Sequence, residues 1–189
     1  MNNRRAEMGV GTLIIFISLL LVAAVAAGVL IQTAGSLQQQ ALSTGTQATG
    51  QISTNAVALE VSATDGTAGS INNFTMIMRL APGSDPIRLD AATLSFSTSN
   101  TTQSYTYNDN TSETGSTTEF TVNYMQTGAA HSPGVLVTGD VIELNFLAIR
   151  QIGQSENVRI NFIPQIGTAT LVQFALPDVI STQRVYLYP

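Results

Sequence analysis

The chain has 189 residues, a net charge of −5 and only 10% charged side chains, and it contains neither cysteine nor tryptophan. The acidic balance argues against a nucleic-acid-binding protein, which needs a basic face to meet phosphates. Without cysteine, disulfides and thiolate zinc sites are excluded, so stability must come from packing. At this length we expect one domain of ordinary size plus an N-terminal helix.

The first third of the chain contains a long uncharged stretch, residues 9–59. From Leu13 to Ile31 it is apolar apart from one serine and one glycine, and as a helix this segment covers roughly 28 Å, close to the thickness of a bilayer's hydrocarbon core. Helical spacing of apolar residues then continues to Leu59, although the segment becomes more polar. We therefore predict one hydrophobic helix over residues 7–59, able to lie in a membrane.

Two other interpretations fit part of this segment. Arg4 and Arg5, the apolar run and the small-residue site Ala24-Val25-Ala26 are also typical of a cleaved secretory signal peptide. A permanent single-span anchor is the second alternative. Neither explains the uncharged, helix-periodic residues 34–59. The two arginines ahead of the apolar run favour a cytoplasmic N-terminus and an outward C-terminal part.

A more specific motif lies at the very start of the chain. Arg-Arg-Ala-Glu-Met-Gly-Val-Gly-Thr-Leu-Ile-Ile-Phe-Ile, residues 4–17, followed by Leu-Val-Ala-Ala-Val-Ala-Ala-Gly-Val-Leu-Ile, residues 21–31, resembles the N-terminus of archaeal flagellins (archaellins). The likeness runs nearly unbroken from Arg4 to about Gln40. It implies a structural subunit and not an enzyme, one that polymerises into the rotating filament of the archaellum and needs no cofactor.

The resemblance also implies removal of a leader peptide, residues 1–6, by a prepilin-type peptidase. Carried onto this chain, the cut falls between Ala6 and Glu7, with the Arg5–Ala6 bond as the alternative because the family more usually has Gly in place of Ala6. The recognition residues so implied are Arg4, Arg5, Gly9 and Gly11. Type IV pilins usually carry Glu at the fifth mature position, which here is Gly11, and this departure favours an archaellin over a pilin.

The partners follow from the same resemblance. The helix would serve as a membrane segment in the precursor and as the filament core after assembly, in a helical homopolymer of this chain or with related archaellins, built by membrane assembly machinery. Because lipid and a core of like helices are both apolar, packing complementarity must supply the specificity. The predicted assembly residues are Leu13, Ile14, Phe16, Ile17, Leu20, Leu21, Val25, Gly28, Ile31 and Leu37.

From about residue 60 the pattern changes to a two-residue period. Alternating segments around Phe74–Leu80, Val141–Phe146 and Val158–Phe162 are typical of half-buried strands, and turn signals such as Pro82-Gly83 separate them. Because no helical segments lie between the strands, we predict an antiparallel β-sandwich or barrel, immunoglobulin-like, over residues 60–189. The fold class is thus α+β. Within the domain, the polar segment Ser97–Thr118 is typical of an exposed, variable hairpin or loop.

Other chemistry in the sequence is sparse. His131, the single histidine, lies in a Gly- and Pro-containing turn and is predicted to be a surface loop residue. Asp85 and Asp90 offer oxygen ligands of the kind that Ca²⁺ prefers, but solvated loop carboxylates are the simpler explanation. Three Asn-X-Ser/Thr patterns are candidate N-glycosylation sites. They begin at Asn73, Asn100 and Asn110.

Two alternative functions share the predicted architecture. One is a type IV-like pilus subunit used for adhesion, and the other is a membrane-anchored surface module that captures a ligand with its β domain. Rotation of tethered cells would separate a swimming filament from a pilus. An uncleaved helix would favour the anchored module.

Overall fold

The fold comprises one helix and eleven strands in the described part of the chain, which is residues 3–66, 69–109 and 115–188 of a computed structural model. Helix α1, Asn3–Ser53, has 51 residues, which corresponds to about 76 Å at 1.5 Å per residue. The strands are β1 (Ala56–Ala63), β2 (Ile71–Leu80), β3 (Ile87–Arg88), β4 (Thr93–Thr98), β5 (Thr102–Asn108), β6 (Glu119–Gln126), β7 (Val135–Leu136), β8 (Val141–Ile152), β9 (Asn157–Ile163), β10 (Thr170–Ala175) and β11 (Val185–Tyr188). A long apolar helix followed by a mostly antiparallel β domain confirms the predicted fold class.

The helix ends at Ser53, earlier than the predicted end at Leu59. Leu59 lies in β1, which pairs with β2 on one side and with β11 on the other. β2 pairs with β1 from Ala56 to Ala63, with a register shift at Leu59, and β11 pairs only with residues 61–63. Strand pairing therefore outweighs the helical spacing of the apolar residues here. The chain divides into two compact units, Met1–Ala48 and Thr49–Pro189. The last turn of α1 therefore belongs to the β domain.

Nine of the strands form a single hydrogen-bonded sheet in the order β10-β9-β4-β5-β6-β8-β2-β1-β11, and β3 pairs with β7 separately. All pairings are antiparallel except the short parallel pairing of β5 with β6. The edge strand β10 lies beside β1 near the other edge of the sheet. There the Thr170 hydroxyl donates a hydrogen bond to the Ala56 carbonyl over 2.6 Å. The sheet therefore curls back on itself and encloses a core, as a sandwich or barrel does.

Alternation of side chains along the strands builds the core. In β9, for example, Val158, Ile160 and Phe162 point inward while Arg159 faces solvent. An aromatic group occupies the centre of the core, with ring centroids 5.1 to 5.7 Å apart. Its members are Phe74, Phe96, Tyr105 and Phe146.

The burial of Tyr105 differs from the prediction that Ser97–Thr118 forms an exposed hairpin or loop. The segment Ser97–Thr118 does contain a hairpin, formed by β4 and β5, but it is not exposed throughout, since Tyr105 is fully buried. The Tyr105 hydroxyl donates to the Leu147 carbonyl over 2.8 Å, and burial raises the pKa of Tyr105 to about 12. The flanking Ser and Thr residues concealed this core position in the sequence.

Candidate assembly site

Helix α1 has no covered apolar side chain along most of its length. From residue 8 to residue 49 every side chain is exposed, including Leu13 (58%), Phe16 (59%) and Ile31 (74%). Full burial of one such side chain is worth about 1.5–3 kcal/mol relative to water. An apolar environment from outside the chain would therefore stabilise this helix.

The predicted assembly residues all lie in this exposed part of α1. The large ones among them are 48% to 74% exposed. Consecutive positions such as 13, 14, 16 and 17 point in different directions around the helix, so its apolar surface is not a single stripe. A helix that is apolar all round fits a membrane or the interior of a bundle, and residues 8–53 are long and apolar enough to cross a membrane.

The glycines of α1 show the same lack of internal partners. A Cβ atom added at Gly9, Gly11, Gly28 or Gly35 would meet no atom within 4 Å. Nothing in the described chain therefore requires glycine at these positions. In a helix bundle, small residues of this kind permit close approach of a neighbouring helix.

The predicted cleavage junction lies at the start of α1. The helix begins at Asn3 and continues through the bond between Ala6 and Glu7. The side chains of residues 1–7 are outside the described part of the structure, so the recognition roles of Arg4 and Arg5 stay predictions. Gly9 and Gly11 lie on α1 just after residue 8, where the described side chains begin.

The end of α1 is held by polar contacts with the β domain. The buried Ser84 hydroxyl lies 3.1 Å from the Ser53 carbonyl and accepts the Asn55 N–H over 3.0 Å. The Asn55 carbonyl accepts the Ala81 N–H over 2.9 Å. These contacts satisfy backbone groups that the end of a helix leaves unpaired. They fix the last turn of α1 to the turn after β2.

Gly167 makes the closest backbone contact at this junction. Its φ is +117°, and an added Cβ would lie 2.5 Å from the Thr54 carbonyl oxygen. Only glycine tolerates both the conformation and the proximity. The neighbouring Thr168 N–H donates to the same Thr54 oxygen over 2.9 Å. No local sequence pattern indicates that this turn between β9 and β10 packs on the end of the helix.

The two carboxylates proposed as calcium ligands have different surroundings. Asp85 lies beside the last turn of α1, since an added Cβ at Gly50 would be 3.6 Å from its carboxylate. Asp90 is bound by the Arg88 guanidinium over 2.6 and 3.1 Å, and this hydrogen bonding lowers the pKa of Asp90. Asp90 also borders a groove of about 480 Å³ that contains Asp109. Among the described residues, no three acidic or histidine side chains form a group that could hold a metal ion.

His131 is less exposed than predicted for a surface loop. Its ring packs edge-on against Tyr124 with centroids 4.5 Å apart, and its Nδ1 is 3.4 Å from the buried Asp140 carboxylate. Asp140 also accepts the N–H groups of Gly128 and Val137, over 2.6 and 3.3 Å. The histidine thus takes part in a hydrogen-bonded loop between β6 and β8.

The candidate glycosylation sites differ in accessibility. Asn100 is exposed in the turn between β4 and β5. Asn73 lies inside β2 with its side-chain oxygen buried, and the Thr75 hydroxyl of the same motif donates to Asn145 over 2.8 Å in the interior. Asn110 is outside the described residues.

Taken together, helix and domain define a class of protein with one part suited to an apolar environment and one part suited to water. A family model described as archaeal-type flagellin matches residues 6–174. The chain belongs to the archaeal-type flagellin family. The resemblance stated from residues 4–40 is thereby confirmed.

Individual relatives support the assignment. Flagellin B1 of Natrialba magadii is 48% identical over 98 residues, which cover 49% of this chain and 47% of that protein. This chain thus spans about half the length of that relative. Flagellin B2 of Halobacterium salinarum is 30% identical over 184 residues, 93% of this chain and 91% of that protein. The archaeal flagellum structure of Methanospirillum hungatei strain JF1 shares the fold, with a TM-score of 0.72, 14% identity, and coverage of 96% and 99% of the two chains.

Proposed function

We propose that this chain is the structural subunit of an archaellum filament and that it polymerises through α1 for swimming motility. The observation that carries the proposal is the exposure of every side chain from residue 8 to residue 49 on a helix that is largely apolar. Lipid around the precursor, and like helices around the assembled subunit, would each cover this surface on all sides. The β domain has a closed core of its own and suits the outer surface of a filament.

The assembly route follows from the polarity of the chain. The precursor is held in the cytoplasmic membrane through Leu13–Ile31, with the arginines on the cytoplasmic side. A prepilin-type peptidase removes residues 1–6. The helix then leaves the lipid and enters the filament core at the cell surface, guided by the membrane assembly machinery. Because both environments are apolar, the transfer depends on side-chain packing for its specificity.

Deletion of the gene tests this function directly. We expect electron micrographs of the deletion strain to lack the filament and the cells to stop swimming, and we expect the plasmid-borne gene to restore both. Tethered wild-type cells should rotate, which a static adhesion pilus does not produce. Normal filaments in the deletion strain would contradict the proposal.

The mature subunit is expected to begin at Glu7. The motivation is the Arg4-Arg5-Ala6 run immediately before the apolar helix. N-terminal peptide analysis and the intact mass of shed filaments would measure the start. Ala6→Gly provides a matched control, because it installs the more usual family residue and should give the same start. A chain beginning near Ala27 would establish the secretory signal peptide instead.

Glycan attachment is expected at Asn100 and not at Asn73. An attached sugar needs an accessible amide, and Asn100 offers one in an exposed turn. Asn73 is half-buried inside β2 with its side-chain oxygen buried, and Thr75 of the same motif is buried and bonded to Asn145. In mass spectra of shed filaments, Asn100→Gln should remove the mass of one glycan. Asn73→Gln is the matched control and should leave the glycan mass unchanged. Modified peptides that contain Asn73 would refute the assignment.

A further inference from the structure

A groove lined by polar side chains lies on the outer face of the β domain, beside the turn between β4 and β5. Its volume is about 240 Å³. Hydroxyl, amide and guanidinium groups line it, from Ser97, Ser99, Asn157, Arg159 and Gln173. Strand pairing places three of them in one row, because Arg159 on β9 pairs with Ser97 on β4 and with Gln173 on β10. We name these five residues the polar groove.

The side chains of the polar groove both donate and accept hydrogen bonds. Serine hydroxyls and the amides of Asn157 and Gln173 do both, and the guanidinium of Arg159 adds donors in a fixed planar array. Four of the five residues are exposed, and Ser97 is half-buried. A ligand with many hydroxyl groups, such as a saccharide, offers donors and acceptors that match this lining.

Arg159 gives the polar groove a positive charge. Its Nη2 donates to the Gln173 side-chain oxygen over 3.4 Å, and among the described residues it takes part in no ion pair. The nearby carboxylate of Glu156 is already bound by Arg150, which also donates to the Thr98 hydroxyl over 3.1 Å. A guanidinium binds carboxylate and phosphate groups with paired, charge-assisted hydrogen bonds. The groove therefore favours a saccharide that carries an acidic group.

The candidate glycosylation residue Asn100 directly follows Ser99 of the polar groove. The Thr98 N–H donates to the Thr101 carbonyl over 2.8 Å, and this bond closes the turn in which Ser99 and Asn100 are exposed. A saccharide attached to Asn100 thus starts one residue away from the groove. Because attachment gives it an effective concentration in about the millimolar range, weak contacts suffice to hold it there.

We propose that the polar groove binds the saccharide attached to Asn100 of the same chain, through an acidic group on that saccharide. The acidic group accepts hydrogen bonds from Arg159, and the sugar hydroxyls bond with Ser97, Asn157 and Gln173. The inference rests on the proposed glycan at Asn100. It adds that this glycan lies against the outer face of β4, β9 and β10 instead of extending into solvent.

Chemical modification of arginine in shed filaments tests the contact. Phenylglyoxal adds to accessible guanidinium groups, and peptide mass spectrometry measures how fast each arginine reacts. We expect Arg159 to react about threefold faster in Asn100→Gln filaments than in wild-type filaments, because no tethered saccharide covers it there. Arg79 is the internal control, since it is exposed on β2 and four strands lie between β9 and β2 in the sheet. Its rate should not change.

Three results of this experiment would overturn the proposal. The first is equal reaction of Arg159 in the two kinds of filament. The second is equal acceleration at Arg159 and Arg79, because it would show a glycan coat that shields the whole surface. The third is an Asn100 peptide whose mass shows a neutral glycan or none. None of these results would affect the assignment of the chain as a filament subunit.

A free glycopeptide distinguishes a tethered saccharide from one that arrives from solution. The peptide that carries the Asn100 glycan is released from wild-type filaments by protease and added to Asn100→Gln filaments. At micromolar concentration we expect it to leave Arg159 reactive, because it lacks the effective concentration that attachment supplies. Protection of Arg159 at that concentration would assign the groove to free saccharides and overturn the tethered arrangement.

A double-mutant cycle gives an independent readout by calorimetry of shed filaments. Asn100→Gln should lower the melting temperature in the wild-type background and leave it unchanged in the Arg159→Gln background, because the two residues act through one contact. In the Arg79→Gln background, Asn100→Gln should have its full effect. Additive effects of Asn100→Gln and Arg159→Gln would refute the contact. Failure of the wild-type chain to form filaments at all would instead refute the proposed function.

Discussion

Leu20→Asp is expected to abolish filament formation and swimming. Leu20 lies in the apolar part of α1, and 51% of its surface is exposed. In the precursor, a carboxylate at the bilayer centre costs about 2.5 kcal/mol or more. In a filament core made of uncharged helices the same carboxylate would be buried without a partner, which is costly again. The substitution therefore opposes both insertion of the precursor into the membrane and entry of the helix into the filament core.

Electron microscopy of the cell surface and a swimming assay would measure this effect. Val179→Asp is the matched control, because it adds the same charge at a residue of the β domain that is 73% exposed. We expect Val179→Asp cells to make normal filaments. Normal filaments and swimming in Leu20→Asp cells would show that α1 does not enter an apolar core.

The fragment Thr49–Pro189 is expected to be a soluble monomer that melts cooperatively. It contains the closed core of the β domain and the contacts of Ser84 and Gly167 with the end of α1. It lacks the exposed apolar rod. The mature chain from Glu7 should in contrast associate in buffer without detergent, since only neighbouring rods can cover α1.

A shorter fragment beginning at Ala63 is expected not to fold. It lacks β1 up to Ser62, including the buried Ala56 and Val61, and thereby leaves β2 and β11 without the strand that lies between them. Size-exclusion chromatography and thermal melting by circular dichroism would distinguish the two fragments. Native-like filaments from Thr49–Pro189, or a monomeric mature chain in plain buffer, would show that α1 is not the assembly element.

The comparison of these fragments depends on a boundary that the sequence places incorrectly. Residues 54–59 carry apolar side chains at spacings compatible with the end of a helix and with the start of a strand. The choice is made by β2, which pairs with Ala56, Val57 and Ala58 through Leu80, Arg79 and Met78. Since the paired residues of β2 are at least 20 positions away along the chain, no local pattern reports them. The predicted domain boundary at residue 60 therefore falls inside a strand.

Local signals were sufficient for much else. The absence of charge from residue 9 to residue 59 predicts an apolar rod, and the two-residue period predicts most of the long strands. The turns Pro82-Gly83 and Pro133-Gly134 are present, with φ of +81° and +74° at their glycines. Such features depend on the properties of a few consecutive residues, which the sequence shows directly.

The sequence by itself thus determined that this protein combines a long apolar helix with a more polar domain rich in β-strands. Only the tertiary structure decided which residues hold the helix to the domain, that the Asn73 motif is partly buried, and that Tyr105 belongs to the core. Gly167 meets Thr54, Ser84 meets Ser53, and Tyr105 meets Leu147. Each of these pairs joins residues far apart along the chain. Their contacts depend on the order of the strands in the sheet, and side-chain periodicity carries no information about that order.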